Sequence, residues 1–109
     1  MSKAENDKDY TSLSIYANSL FTDSQKAIDD NDLYNVSPDL QGTKDEETLA
    51  LVQLNLYAKY THMAAEEYKN GNEEGGASYS KQANQYAISY GQHIKKATEL
   101  LAAYNSGKN

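Results

Sequence analysis

The 109-residue chain contains no cysteine, no tryptophan and no arginine, and it has a single proline. Without cysteine, no disulfide framework, thiolate metal site or cysteine nucleophile can form. Without arginine, the chain lacks the planar guanidinium group that recognises phosphate, carboxylate and guanine. The net charge of −6 further disfavours a nucleic-acid partner. These absences exclude several classes of function and indicate no chemistry of their own.

Long hydrophobic runs are also missing. No stretch approaches the ~20 consecutive apolar residues that a membrane-spanning helix needs. The first twelve residues lack the basic start and apolar centre of a secretory signal. We therefore expect a cytoplasmic protein with no membrane partner. Residues 1–8 are polar and charged, which predicts a disordered tail before a single domain over residues 9–109.

Three segments carry apolar residues at spacings of three and four, the pattern of an amphipathic helix. They predict helices over about 9–32, 44–70 and 78–105. Helices of matched length joined by short connections pack as antiparallel neighbours. The sequence therefore predicts an all-α, up-down-up antiparallel three-helix bundle, which self-association would complete to four or more helices.

Local signals mark the predicted helix ends. Thr43 and Glu46 form the Thr-x-x-Glu pattern of a capping box just before the second helix. Gly71 follows that helix and supplies a left-handed C-cap position. Residues 71–76 contain three glycines and no apolar group, which predicts a flexible turn before the third helix.

The second helix contains the most hydrophobic stretch, residues 49–68. Apolar side chains cover more than half of its circumference and leave a narrow polar strip that includes Asn55, Lys59, His62 and Glu66. So wide an apolar arc needs cover from two neighbouring helices. Where cover is incomplete, the surface is predicted to bind a partner, at Ala50, Leu54, Ala58 and Ala65, and at Ile15 and Ile88, which lie off the main faces of their helices.

Tyrosine is unusually abundant, with ten residues against one phenylalanine. On one interpretation, the side chains of the second and third helices converge on a small polar ligand, through Tyr57, Tyr60, Tyr86, Tyr90 and His93. On the other, each ring packs at the edge of the core and its hydroxyl reaches water or a carbonyl group. Both interpretations place these rings between the second and third helices.

The two histidines are the main candidates for chemistry. His93 is interpreted either as a half-buried side chain bonded to a tyrosine, or as a proton-transfer or ligand-binding group paired with a carboxylate from another helix. His62 and Glu66 share one helical face and are interpreted as a solvated pair on the polar strip, or as two ligands of a metal site that needs a third. Because no catalytic motif is present, we expect no enzyme activity, catalytic residue, metal or cofactor.

Part of the chain resembles a known helical repeat. The residues that carry the resemblance are Met63, Ala64, Tyr68, Gly71, Tyr79 and Ala83. Together they look like the helix-turn-helix pattern of one tetratricopeptide repeat, over less than a third of the chain, with Gly76 where that family usually has alanine. Because no second copy is present, the resemblance implies no stacked repeats and no function.

These observations favour a non-enzymatic helical bundle that acts through protein–protein interaction or self-association. The alternative is a small-molecule-binding bundle with a tyrosine-lined site between the second and third helices.

Overall fold

A computed structural model describes residues 3–33 and 35–107, with side chains described from Asp9 onwards. It contains three long helices, α1 (Lys3–Asp32), α2 (Gln41–Lys69) and α3 (Glu73–Gly107), and a short 3₁₀ turn at Pro38–Leu40. No strand occurs in the described residues. The predicted all-α three-helix bundle is confirmed.

Helix α2 lies between the other two helices. Contacts of its polar residues with Ser14 and Ser24 show that α1 runs antiparallel to it. The contacts of Glu46 with His93 and of Tyr60 with Tyr86 show the same for α3. Within the described part of the chain, no Cα of α1 lies within 8 Å of a Cα of α3. The bundle is elongated, with dimensions of 59 × 22 × 19 Å, and both outer helices depend on α2 for their packing.

Helix α2 begins before the predicted capping box. The Leu40 N–H donates to the carbonyl of Ser37, and the Gln41 N–H donates to that of Pro38, so the 3₁₀ turn leads directly into the helix. No side chain caps this end of α2. Thr43 is the third residue of the helix, and Glu46 contacts His93 instead. The capping-box prediction is therefore wrong, because the backbone of the 3₁₀ turn already starts the helix.

The connection between α2 and α3 is shorter than predicted. Gly71 has the expected left-handed conformation, with φ of +85°. Its N–H donates to the carbonyl of Tyr68, and the Asn72 N–H donates to that of Glu67, which is the Schellman pattern of helix termination. The Asn72 side chain then accepts from the N–H of Gly75 and caps α3. Because of this cap, the predicted flexible turn is wrong for residues 73–76, which already belong to α3.

Helix α1 begins at Lys3, six residues before the predicted start. Residues 3–8, which the sequence assigned to a disordered tail, thus belong to the helix, and residues 1 and 2 lie outside the described part. In the described part, no helix has the length and hydropathy needed to cross a bilayer.

The interior is built from small side chains. In the part of the chain with described side chains, all of the buried apolar residues are alanines: Ala17, Ala50, Ala58, Ala64, Ala65, Ala83 and Ala97. Three buried polar residues accompany them: Ser14, Ser24 and Thr43. Small residues let helix backbones approach one another closely. The larger apolar side chains consequently lie at the edges of the helix interfaces, where they stay partly exposed.

Candidate functional site

Helix α1 packs on the side of α2 that the sequence assigned to solvent. The side-chain amide of Asn55 donates to the carbonyl of Phe21 at 3.0 Å and to the Ser24 hydroxyl at 3.1 Å. Near the other end of this interface, Ser14 lies between His62 and Glu66. Both His62 and Glu66 therefore bond to α1, although the Glu66 side chain stays 41% exposed.

The hydrogen bonds around Ser14 have a defined direction. Nδ1 of His62 lies 3.1 Å from the carbonyl oxygen of Ser14, which can only accept, so this nitrogen carries a proton. The same nitrogen lies 2.9 Å from the Ser14 hydroxyl. That hydroxyl in turn donates to Oε2 of Glu66 at 3.0 Å. The network thus runs from His62 through Ser14 to Glu66.

This direction is the wrong one for a serine nucleophile. Activation of serine requires an imidazole nitrogen that accepts the hydroxyl proton. Here the Ser14 hydroxyl donates its proton to the Glu66 carboxylate. The nearby Nδ1 of His62 carries a proton and therefore cannot accept another. The Glu66 carboxylate also accepts from Lys69 at 3.1 Å. The hydrogen bonds from Lys69 and then Ser14 lower the pKa of Glu66, and we conclude that this network joins two helices.

A second polar cluster joins α2 to α3. Nδ1 of His93 lies 2.7 Å from one carboxylate oxygen of Glu46, and Nζ of Lys96 lies 3.2 Å from the other. The Glu46 side chain is only 12% exposed. The hydrogen bond from His93 is the main cause that lowers the pKa of Glu46, and Lys96 lowers it further. Of the two interpretations of His93, the pairing with a carboxylate from another helix matches the geometry.

The predicted tyrosine site divides into separate environments. The Tyr60 ring stacks on that of Tyr86, with centroids 5.4 Å apart and planes at 20°, and makes a tilted contact with Tyr79 at 6.1 Å. Tyr57 lies elsewhere, beside a small cavity of about 210 Å³. Tyr90 is half-buried in α3. The aromatic rings of Tyr60 and Tyr86 thus fill space with each other, and the five predicted residues do not surround one cavity.

The uncovered apolar surface lies elsewhere than the sequence predicted. Ala50, Ala58 and Ala65 have 0% exposure, and Leu54 is half-buried. These alanines cannot reach a partner, because they are fully buried within the bundle. Ile15 and Ile88 are exposed as expected, at 67% and 57%. The other large apolar side chains that are more than a third exposed are Leu13, Tyr16, Leu33, Leu49, Ile94, Leu100 and Leu101.

Two further cavities lie between elements of the bundle. One, of about 380 Å³, lies where the 3₁₀ turn meets the C-terminal part of α3; Val36, Leu40, Thr43 and Leu101 are among its lining residues. The other, of about 350 Å³, lies between α1 and α2 and is lined by Asn18, Phe21, Asn55, Leu56, Lys59, His62 and Met63. Sequence reasoning missed this second cavity, because its lining comes from two segments about 40 residues apart. Among the described residues, no three carboxylate or imidazole groups lie close enough to hold a metal ion.

No protein-family model, curated protein or solved structure matches this chain.

Proposed function

We propose that this chain is a non-enzymatic helical-bundle protein that binds another protein or a second copy of itself through apolar side chains that its helices leave exposed. One observation carries the proposal. Among the residues whose side chains are described, every buried apolar residue is an alanine, whereas nine large apolar side chains are more than a third exposed. Full burial of a large apolar side chain is favourable by about 1.5–3 kcal/mol. A partner that covers these residues therefore gains free energy of burial that the isolated chain does not obtain.

Five of the nine exposed side chains lie towards one end of the bundle, and Leu13, Ile15, Tyr16 and Ile88 lie elsewhere. Ile94, Leu100 and Leu101 lie in the C-terminal half of α3, at 38%, 38% and 40% exposure. Leu101 lines the cavity of about 380 Å³ together with Leu40. Leu33, at 83% exposure, lies at the end of α1 near the same connection. We assign the partner-binding surface to this end and name Ile94, Leu100 and Leu101 the end cluster.

Sedimentation equilibrium of the full chain at 1–500 µM tests self-association. We expect a species heavier than the 12.1 kDa monomer. The double variant Leu100→Gln, Leu101→Gln is expected to shift association to a higher concentration, because it removes two apolar contacts. Ile15→Gln on α1 is the matched control and should leave association unchanged.

If the partner is a different protein, the isolated chain should be a monomer with accessible apolar surface. The dye 8-anilinonaphthalene-1-sulfonate should then bind the wild type and bind the double variant less. A monomeric chain that does not bind this dye would contradict the proposal. The alternative function, a small-molecule site among the tyrosines, gains no support, since Tyr60 and Tyr86 stack on each other. A cytoplasmic location stays a prediction from the sequence.

A further inference from the structure

Three apolar and four polar residues line the cavity between α1 and α2. Phe21 of α1 and Leu56 and Met63 of α2 provide the apolar side chains. Asn18 and Lys59 provide side chains that end in hydrogen-bond donors. The volume of about 350 Å³ lies in the range of small-molecule sites, which is ~300–1,000 Å³.

The register of α1 against α2 places the two polar groups opposite each other. Ser14 contacts His62, and the carbonyl of Phe21 accepts from Asn55. In an antiparallel pair, four residues forward on one helix correspond to about four residues back on the other. Asn18 therefore lies at about the same height along the bundle as Lys59. Phe21 and Leu56 lie about one turn from them, towards one end of the cavity. Met63 lies one turn from Lys59 towards the other end.

The donors of Asn18 and Lys59 are not used inside the protein. Asn55 and His62, which also line the cavity, are bonded to α1. In contrast, Lys59 has no ion-pair partner among the described residues, and the Asn18 side chain has no hydrogen bond to any of them. Nζ of Lys59 lies 5.8 Å from the centre of the Tyr60 ring. Such a contact at an exposed site is weak, so the ammonium group can turn to a ligand.

We propose that this cavity binds a small amphipathic carboxylate. The apolar body of the ligand lies against Phe21, Leu56 and Met63, and its carboxylate accepts hydrogen bonds from Nζ of Lys59 and the amide of Asn18. The ammonium group of Lys59 makes the site selective for a negative ligand. A carboxylate accepts a strong charge-assisted hydrogen bond from it, an alcohol accepts a weaker one, and a protonated amine accepts none. This inference concerns a different surface from the end cluster and does not rest on the proposed function.

Titration of the ¹⁵N-labelled full chain with octanoate, followed by amide chemical shifts, tests the proposal. Octanol and octylamine are the matched probes, since they have the same chain length and a neutral or cationic head. We expect octanoate to bind most tightly and to shift amide signals around residues 18–21 and 55–63. Equal binding of octanol, or shifts confined to the end of the bundle near Leu101, would overturn the proposal.

Lys59→Gln removes the positive charge without disturbing the fold, because glutamine retains a polar side chain at an exposed helical position. We expect octanoate binding to weaken about 3- to 10-fold, as the loss of one charged hydrogen bond at a partly exposed site implies. Lys26→Gln on α1, away from the cavity, is the control and should bind octanoate like the wild type. Unchanged octanoate binding by Lys59→Gln, with helical content intact by circular dichroism, would also overturn the proposal.

Discussion

At the scale of single residues, the contact around Tyr68 links all three helices. The Tyr10 ring of α1 stacks on the Tyr68 ring of α2, with centroids 4.9 Å apart and planes at 16°. The Tyr68 ring also lies against Gly76 of α3, where an added Cβ would meet ring atoms at 2.6 and 2.7 Å. Because Tyr10 stacks on the same ring, we expect that a shift of Tyr68 away from Gly76 would disturb this stack.

Two glycine substitutions in α3 test this contact. Gly76→Ala should destabilise the fold, because the clash costs about 1–3 kcal/mol and exceeds the ~0.5–1 kcal/mol that alanine gains over glycine in a helix. Gly91→Ala is the matched control: nothing lies within 4 Å of its added Cβ, so it should stabilise the protein by ~0.5–1 kcal/mol. Urea denaturation measures both changes. Equal effects of the two substitutions would contradict the packing of Tyr68 on Gly76.

At the scale of helices, the two interfaces of α2 differ in chemistry. Towards α3, the contacts are the stacked rings of Tyr60 and Tyr86 and the ion pair of Glu46 with His93. Towards α1, they are mainly hydrogen bonds of buried serines with α2 side chains. The polar side chains of α2 therefore specify where α1 packs, and the expected polar strip is partly covered by α1, while Lys59 in it stays exposed.

The joint between α2 and α3 depends on one side chain. Asn72 caps α3 by accepting from the N–H of Gly75 at 3.0 Å, and its amide donates to Glu67 of α2 at 2.6 Å. Asn72→Ala should lower the free energy of unfolding by about 0.5–2 kcal/mol, the usual loss for an N-cap. Thermal denaturation measures the loss, and hydrogen exchange at Gly75 should become faster. Asn72→Ser keeps an acceptor and should recover most of the stability; a serine variant as unstable as the alanine variant would argue against the cap.

At the scale of the whole molecule, stability depends on two carboxylates that join its helices. His93 donates a hydrogen bond to the ionised carboxylate of Glu46, and Lys69 donates one to that of Glu66. These hydrogen bonds lower the pKa of each carboxyl group from the ordinary value of 4.5. A carboxyl group with a lower pKa in the folded state binds fewer protons there than in the unfolded chain. Its contribution is therefore complete above pH 4.5 and is lost as the pH falls through the lowered folded-state pKa.

Glu46→Gln tests this acid dependence. At pH 7 the variant should be less stable than the wild type, because the interactions of His93 and Lys96 with an ionised carboxylate are lost. As the pH falls below 4.5, the wild type loses the same interactions, so the difference should shrink towards pH 3. Chemical denaturation at pH 3–7 measures this difference in the free energy of unfolding. Glu99→Gln, at an exposed site with no ion pair among the described residues, is the control and should follow the wild type; a constant difference for Glu46→Gln across this range would contradict the account.

Much of the fold was predictable because its signals are local. Apolar spacings of three and four identified three helices, and Gly71 marked the end of α2, since only neighbouring residues decide helix periodicity and a left-handed cap. The helix starts were less predictable. The capping pattern of Thr43 and Glu46 was present in the sequence, but the 3₁₀ turn had already begun α2, and Glu46 was engaged by a residue 47 positions away.

The sequence by itself determined the number of helices, their amphipathic faces and the absence of cysteine and arginine chemistry. Only the tertiary structure decided that α1 packs on the polar strip of α2, that the buried apolar residues of the described part are alanines, and that Asn18 and Lys59 line the same cavity. The physical reason is that a helical wheel records which side chains share a face, but not which helix will cover that face. That choice depends on how closely the backbones approach, and here the small side chains of Ala50, Ala58 and Ala65 permit a close approach that leaves larger apolar groups exposed at the edges.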